Sequence, residues 1–335
     1  MKSALLIRLS SLGDIVLTTP VAANLNRAGI RVAVLTRRAF APVFDGNPTV
    51  DDVLIFEDRG LWGWVREIRA RRFDAVVDLH GTFRSRVWSV LSGAPRRVRY
   101  DKRASARRRL VWTKKTSPAL AGTVVDRYLE TLAPLGVPAG ERSPRLYVGR
   151  DEGPSGEWPG RLGPGPLLVV APGAQHATKR WPADRFAAVA ERWRAQRPGT
   201  RVVLLGAPAD APAGAAVRSA LSGDVLDLIG KTSLRDMIRI LNRAALVLSN
   251  DSGAMHVAAA LGRPTVAVFG PTVRAFGFFP TGTRAVAVEG GALPCRPCAL
   301  HGRSRCPEGH FRCMDDVTVD RVSDAAAAVT AGTTS

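Results

Sequence analysis

The chain of 335 residues is long enough for two domains of ordinary size. Its 48 Lys and Arg against 29 Asp and Glu give a net charge of +19, and no window approaches the roughly 20 uninterrupted apolar residues of a membrane span. The first apolar run is broken by Arg8, Ser10, Ser11 and Asp14 and does not read as a secretory leader, so a cytoplasmic protein with reduced cysteines is expected.

The first half alternates apolar β-type runs, SALLIRL, RVAVLT, DVLIF, DAVVDL and RRVRY, with helix-like stretches at 14–28, 61–71 and 83–92. That rhythm predicts a parallel sheet wrapped by helices. The first strand runs into RLSSLGDIVLTTP (8–20), where Ser10, Ser11 and Gly13 make a small polar loop and Asp14 opens the next helix. Asp14 reads equally as a helix cap or as a carboxylate at the carboxyl end of a strand, within reach of a substrate hydroxyl as a general base. Residues 1–150 hold 27 Lys and Arg against 13 Asp and Glu, and the segment RRVRYDKRASARRRLVWTKK (96–115) has ten basic residues and one acid. This run is either a solvated face or a seat for a polyanion.

Residues 138–166 are dense in Pro and Gly and break the rhythm, which places a domain boundary at 150/151. Alternation then resumes with strands at 167–174, 201–206 and 225–230 and helices at 182–196, 211–221 and 233–244. APGAQHATKRWP (171–182) carries Lys179, one of only six lysines, just after a strand. Such a lysine neutralises a phosphate or is simply a solvated surface group. In LSNDSGAMHVAAALGRPTVAVFGPT (248–272), Asp251, Ser252 and Gly253 open a helix that carries His256 on the face of Ser252, a start suited to an anion. The tail 316–332 reads as a helix.

Several signatures are missing. There is no G-x-G-x-x-G after an early strand, GDVLDLIGKT (223–232) has Val225 where a P-loop needs its first glycine, and no Asp-x-Asp occurs. These absences argue against a dinucleotide enzyme, a P-loop ATPase and a metal-dependent sugar transferase. The four cysteines lie in CRPCALHGRSRCPEGHFRC (295–313). Cys295, Cys298, Cys306 and Cys313 are spaced either for a structural zinc or as free thiols, with His301 and His310 as further ligand candidates.

Taken together and in order, SSLGDIVLTTP, KRWP, GKTSL and NDSGAMHVAAALGRPTVAVFGPT resemble glycosyltransferase family 9, the ADP-heptose:lipopolysaccharide heptosyltransferases, over residues 1 to about 319. The resemblance implies an α/β chain of the GT-B fold, with two Rossmann-like doubly wound parallel-sheet domains facing a cleft: 1–150 for the acceptor and 151–335 for the nucleotide sugar. It further implies an inverting transfer of heptose from ADP-heptose to the lipopolysaccharide inner core, on Kdo or heptose, at the cytoplasmic face of the inner membrane. No cofactor or catalytic metal is expected, and no nucleic-acid partner. Asp14 and Lys179 map as catalytic, and Ser10, Ser11, Lys179, Lys231, Asp251, Ser252, Gly253 and His256 as donor-binding. DLHGTFRSR (78–86) falls at acceptor-side positions, giving His80 and Arg84, joined by Arg107, Arg108 and Arg109 from the basic run. Two other readings stay open: a relative moving another nucleotide-linked sugar, and a non-catalytic polyanion- or RNA-binding protein. The second is weakened because the basic run offers only Tyr100 and Trp112 for base stacking.

Overall fold

A computed structural model describes residues 1–149 and 158–331, so the expected boundary at 150/151 falls outside the described residues. The chain forms two compact units, one of residues 1–104 and 122–147, the other of 105–121 and 148–335.

In the first unit, strands β1 (Ser3–Ile7), β2 (Arg31–Arg37), β3 (Asp52–Phe56), β4 (Ala75–Asp78) and β5 (Arg96–Arg99) form one parallel sheet in the order β3-β2-β1-β4-β5. Helix α1 (Leu12–Val16) follows β1 and α2 (Thr19–Arg27) follows α1. The expected helix over 14–28 is thus broken near Leu17, where Pro20 lacks the N–H that a continuous helix would use and sits in the first turn of α2 instead. Helices α3 (Gly60–Ala70) and α4 (Phe83–Leu91) cover one face of the sheet. Their apolar sides bury Trp64, Ile68 and Trp88 against Leu5, Ile7, Leu35 and Val76, because indole and branched side chains are excluded from water together. Phe56, Trp64 and Trp88 meet with ring centroids 5.6 to 6.1 Å apart.

Helix α5 (Ala104–Thr113) lies within the basic run and is a correction to the expected division. From Ser105 to Ala121 the chain belongs to the second unit, where Leu110 and Leu120 pack with Phe276 and the Lys114 ammonium donates to the Pro297 carbonyl at 2.8 Å. The chain then returns to the first unit through α6 (Val124–Leu129), capped by Thr123.

The second unit begins its described part with α7 (Trp158–Leu162). Its strands are β6 (Leu167–Ala171), β7 (Arg201–Leu204), β8 (Val225–Asp227), β9 (Ala244–Asn250), β10 (Thr265–Phe269) and β11 (Ala285–Glu289). They form a parallel sheet in the order β11-β10-β9-β6-β7-β8. The connecting helices are α8 (Ala183–Gln196), α9 (Ala211–Ala220), α10 (Leu234–Asn242) and α11 (Gly253–Ala260), followed by α12 (Arg312–Asp315) and α13 (Val319–Thr330). Buried strands of Val and Leu meet Trp181, Phe186, Trp193 and Met314 on one face of the sheet, and Met255, Phe269 and Phe279 gather in a separate cluster. No helix among the described residues is long and apolar enough to cross a membrane.

Two switch points follow from these orders. In the first sheet the chain winds outward in one direction from β1 through β2 and in the other from β4, so a crevice opens beyond the carboxyl ends of β1 and β4. In the second sheet the same reversal lies between β6 and β9.

Candidate active site

The first switch point is built from the two loops that leave β1 and β4. Arg8, directly after β1, is buried, and its guanidinium spans the crevice: one nitrogen donates to the Leu79 carbonyl after β4 at 2.5 Å and another lies 2.8 Å from Asp14 Oδ2. Asp14 also accepts from the Ser11 hydroxyl at 2.8 Å, the Ser11 amide at 3.2 Å and the Tyr128 hydroxyl at 3.3 Å. Asp14 therefore ties down the start of α1 through Ser11 and is at the same time a paired anion. Burial works to raise its pKa, but the Arg8 charge and the Ser11 hydrogen bonds together outweigh it, and the carboxyl is held below the usual carboxylate range. The side chain keeps 17% exposure, enough to meet a substrate oxygen.

Across the crevice, Asp78 at the end of β4 is fully buried. Its carboxylate accepts from the His80 and Gly81 amides at 3.0 and 2.8 Å and from the Ser85 hydroxyl at 3.0 Å, which fixes the turn that presents His80. Burial, followed by the Arg8 and Lys102 charges, pushes the imidazole down to about 4, and its Nδ1 has no hydrogen-bond partner. Gly81 adopts a left-handed φ of +60°, a backbone that favours glycine, with the end of the Lys102 side chain beside it. Arg84 stacks over Phe56 at 5.6 Å with its side chain exposed.

The second switch point repeats the plan with charges exchanged. Lys179, in the loop after β6, places Nζ 2.6 Å from Asp251 Oδ2 at the end of β9, and the Thr272 hydroxyl donates to the same oxygen at 2.7 Å. Asn250 is buried and joins the two loops, accepting from the Trp181 amide at 3.0 Å and donating to the Pro172 carbonyl at 2.7 Å. Ser252 stands at the N-cap of α11 with no side-chain cap bond, its hydroxyl 3.0 Å from that of Ser249. The Gly253 end of α11 therefore keeps backbone N–H groups and the positive end of the helix dipole for an anion. His256 is buried one turn in. Gly173, between β6 and Lys179, is required by a close approach: a Cβ there would lie 2.1 Å from Asp210 Cγ. Beside this loop a cavity of about 790 Å³ is bounded by His176, Gly302, Arg303 and Arg305 among others.

The expected site residues are thus partly gathered. Asp14, Ser11 and His80 share the first switch point, and Lys179, Asp251, Ser252, Gly253 and His256 share the second. Ser10 precedes Ser11 and is partly exposed. Lys231 stands apart, after the edge strand β8, with its ammonium donating to the Asp227 carbonyl of its own turn at 2.8 Å. Arg108 and Arg109 are exposed on α5, but Arg107 is buried, its guanidinium 5.4 and 5.7 Å from the Phe276 and Phe278 rings. It packs within the second unit, in contrast to its exposed neighbours.

Cys295, Cys298, Cys306 and Cys313 form no disulfide. Among the described residues no three His, Cys, Asp or Glu side chains are gathered to hold a metal. Cys298 donates to the Cys295 carbonyl at 3.4 Å, Cys295 faces His310 at 3.7 Å and Cys313 is buried in the sheet core. Burial and then the neighbouring thiols push the Cys313 thiol up to about 11.

Sequence reading missed Arg8, Asp78, Lys102 and Tyr128. For Arg8 and Asp78 a signal was present, since a charged residue at the carboxyl end of an apolar strand is costly unless it is paired. Tyr128 arrives from 114 residues away and leaves no local trace.

The family model "Glycosyltransferase family 9 (heptosyltransferase)" matches residues 62–307. Lipooligosaccharide heptosyltransferase 2 of Haemophilus influenzae is 39% identical over 116 residues, a stretch spanning 33% of each chain. Lipopolysaccharide heptosyltransferase 1 of Pseudomonas aeruginosa is 29% identical over 322 residues, 88% of this chain and 85% of the relative. The structure of ADP-heptose lps heptosyltransferase II from Escherichia coli superposes with a TM-score of 0.79 at 24% identity, covering 98% of both chains, so the two parallel-sheet units have the GT-B architecture. The chain belongs to glycosyltransferase family 9, the heptosyltransferases, and is a glycosyltransferase.

Proposed function

We propose that the chain transfers heptose from ADP-heptose to a hydroxyl of the lipopolysaccharide inner core, on Kdo or on a heptose already attached, at the cytoplasmic face of the inner membrane. The observation that carries the reading is the Asp14 carboxylate, fixed at the first switch point by Arg8 and Ser11 and left partly open. In an inverting transfer the acceptor oxygen attacks the anomeric carbon from the face opposite the leaving group, and its proton passes to Asp14. The low basicity of Asp14 is compatible with this role. The hydroxyl proton becomes acidic only as the new C–O bond forms, so a carboxylate that is always ionised can receive it late in the step.

The bond to the β-phosphate oxygen breaks as ADP departs, and negative charge grows on that phosphate. Lys179 and the N-terminus of α11 at Ser252 and Gly253 would stabilise it, work that a divalent cation does in other transferases. Asp251 then acts as the holder of Lys179 rather than as a phosphate contact, since a carboxylate repels a phosphate. On the acceptor side, His80 Nδ1 and the exposed Arg84 of the first unit suit an acceptor rich in carboxylates and phosphates. The description of the E. coli relative names ADP-heptose, which supports the choice of donor.

A thermal-shift series with ADP-heptose, ADP, UDP-sugars and NAD, followed by a transfer assay on Kdo-bearing lipid A in excess chelator, tests the reading. Stabilisation by ADP and ADP-heptose, and a chelator-resistant product of inverted anomeric configuration, are expected. Selective stabilisation by a UDP-sugar would replace the donor, and activity lost to the chelator would overturn the metal-free step.

A further inference from the structure

The first unit carries a surface that its own chemistry does not use. Of the four large apolar side chains exposed among the described residues, three lie on α3 and α4: Trp62 at 65%, Phe83 at 80% and Val90 at 53% exposure. These helices are neighbours, with the Trp88 indole of α4 donating to the Leu61 carbonyl of α3 at 3.2 Å. Their inward sides are committed to the core through Trp64, Ile68 and Trp88, so the exposed residues occupy the outward stripes. On α3 that stripe is Trp62, Arg66 and Arg69, at helical spacing of four and three residues; on α4 it is Phe83, Arg86 and Val90, at three and four.

Charge separates this face from an ordinary protein-binding patch. Helices α3 and α4 carry four arginines, Arg66, Arg69, Arg84 and Arg86, and one acid, Glu67, which is already paired with Arg59 and Arg71. An aromatic ring beside an unopposed guanidinium suits a boundary where apolar matter lies directly beneath a layer of negative charge. Trp62 and Phe83 occupy the first turns of their helices, which start where β3 and β4 end, so both rings stand on the carboxyl edge of the sheet, the edge that carries Asp14.

We infer that the outward faces of α3 and α4 dock this chain on an anionic lipid bilayer, with Trp62 and Phe83 entering the interfacial layer and Arg66, Arg69 and Arg86 facing the lipid phosphates. The inference rests on the reading of the acceptor as a membrane-anchored glycolipid, and it adds the surface by which the protein reaches it. Trp112, the remaining exposed ring, lies on α5 of the second unit and supplies an internal control.

The test is co-sedimentation of the full chain with phosphatidylcholine vesicles, with and without about a third phosphatidylglycerol, at low and high salt. Wild type should sediment with the anionic vesicles only and release with salt. Trp62→Ser/Phe83→Ser should bind them about tenfold more weakly. The conservative swap Trp62→Phe/Phe83→Trp should restore binding, which excludes simple unfolding. Binding of the serine variant equal to wild type, or loss of binding on Trp112→Ser alone, would overturn the inference, as would failure of wild type to bind. Transfer to a delipidated, water-soluble acceptor should be unchanged in the serine variant. Vesicle binding without transfer from ADP-heptose in wild type would sink the proposed reaction but leave the docking surface standing.

Discussion

The two switch points are built alike but carry opposite charges. In the first, the buried cation Arg8 holds the anion Asp14, which we propose as the working group; in the second, the anion Asp251 holds the cation Lys179, which we propose as the phosphate clamp. Lys179 and Asp251 come from two neighbouring loops, so their pair bridges the crevice, whereas Arg8 and Asp14 both follow β1 and the Arg8 hydrogen bond to the Leu79 carbonyl makes the crossing. The lesson is that both sites keep one charge constant by pairing it, and on the proposed reading each charge serves its own part of the reaction. A base must meet a proton, and a phosphate clamp must meet a growing negative charge.

The sharpest way to break the comparison is at Asp14. Asp14→Asn keeps the shape and can still accept from the Ser11 amide, but it cannot take a proton, and positioned bases contribute about 10²–10⁴-fold. We expect kcat to fall by that factor with the affinity for ADP unchanged. Stability should fall too, because Arg8 stays buried without its counter-charge. Removing one partner of a fully buried pair costs about 3–5 kcal/mol, and the residual exposure of Asp14 puts this pair at or below the lower end. A wild-type turnover number would leave Asp14 as a cap and an anchor for Arg8.

The second switch point answers with a different signature. Lys179→Ala removes a charge-assisted contact worth about 1.5–3 kcal/mol, which is roughly 10- to 150-fold in ADP affinity. It also leaves the Asp251 carboxylate facing the phosphates alone. The double variant Lys179→Ala/Asp251→Asn should therefore bind ADP several-fold better than Lys179→Ala, because a repulsive charge has gone, while Asp251→Asn alone should weaken binding only modestly. Isothermal titration of the four proteins gives the coupling directly. Additive effects would mean that Asp251 does not serve through Lys179.

Much of this plan was legible in the sequence. The strands announced themselves as apolar runs bounded by Gly, Asp and Asn, and the candidate groups were sought after β1, β6 and β9 because loops at the carboxyl ends of a doubly wound sheet are where ligands are met. What escaped was decided by packing. The edge strand β11, AVAVE, is only five residues long and half-buried at the sheet edge, so its short apolar run carries little signal. Helix α5 reads as a string of charges, yet Arg107 and Leu110 turn inward and carry it onto the second unit. The partners of Asp14 were hidden for the same reason, since a residue such as Tyr128 is brought in only by the finished fold.

The smallest effect is the one that separates the rim of the first site from its centre. His80 titrates near 4 rather than 6.5, so the imidazole is neutral throughout the range in which the enzyme would work, and its contact to an acceptor should not change with pH above about 6.5. Between those two values the unfolded chain binds the proton that the folded chain refuses, so stability must rise with pH from about 4 to 6.5 and be flat in this term above it. Asp14 adds a slope of the same sign but lower on the scale: its pKa is depressed, so its stabilisation is complete above the ordinary carboxylate range and lost only as pH falls below it. Melting temperatures of wild type and His80→Gln across pH 4 to 8 isolate the first slope from the second. The variant should lose the rise between 4 and 6.5, keep the acid collapse below it, and raise the acceptor KM without moving that of ADP-heptose. An unchanged rise would mean that another group produces it and that His80 binds its proton alike in the folded and unfolded chain.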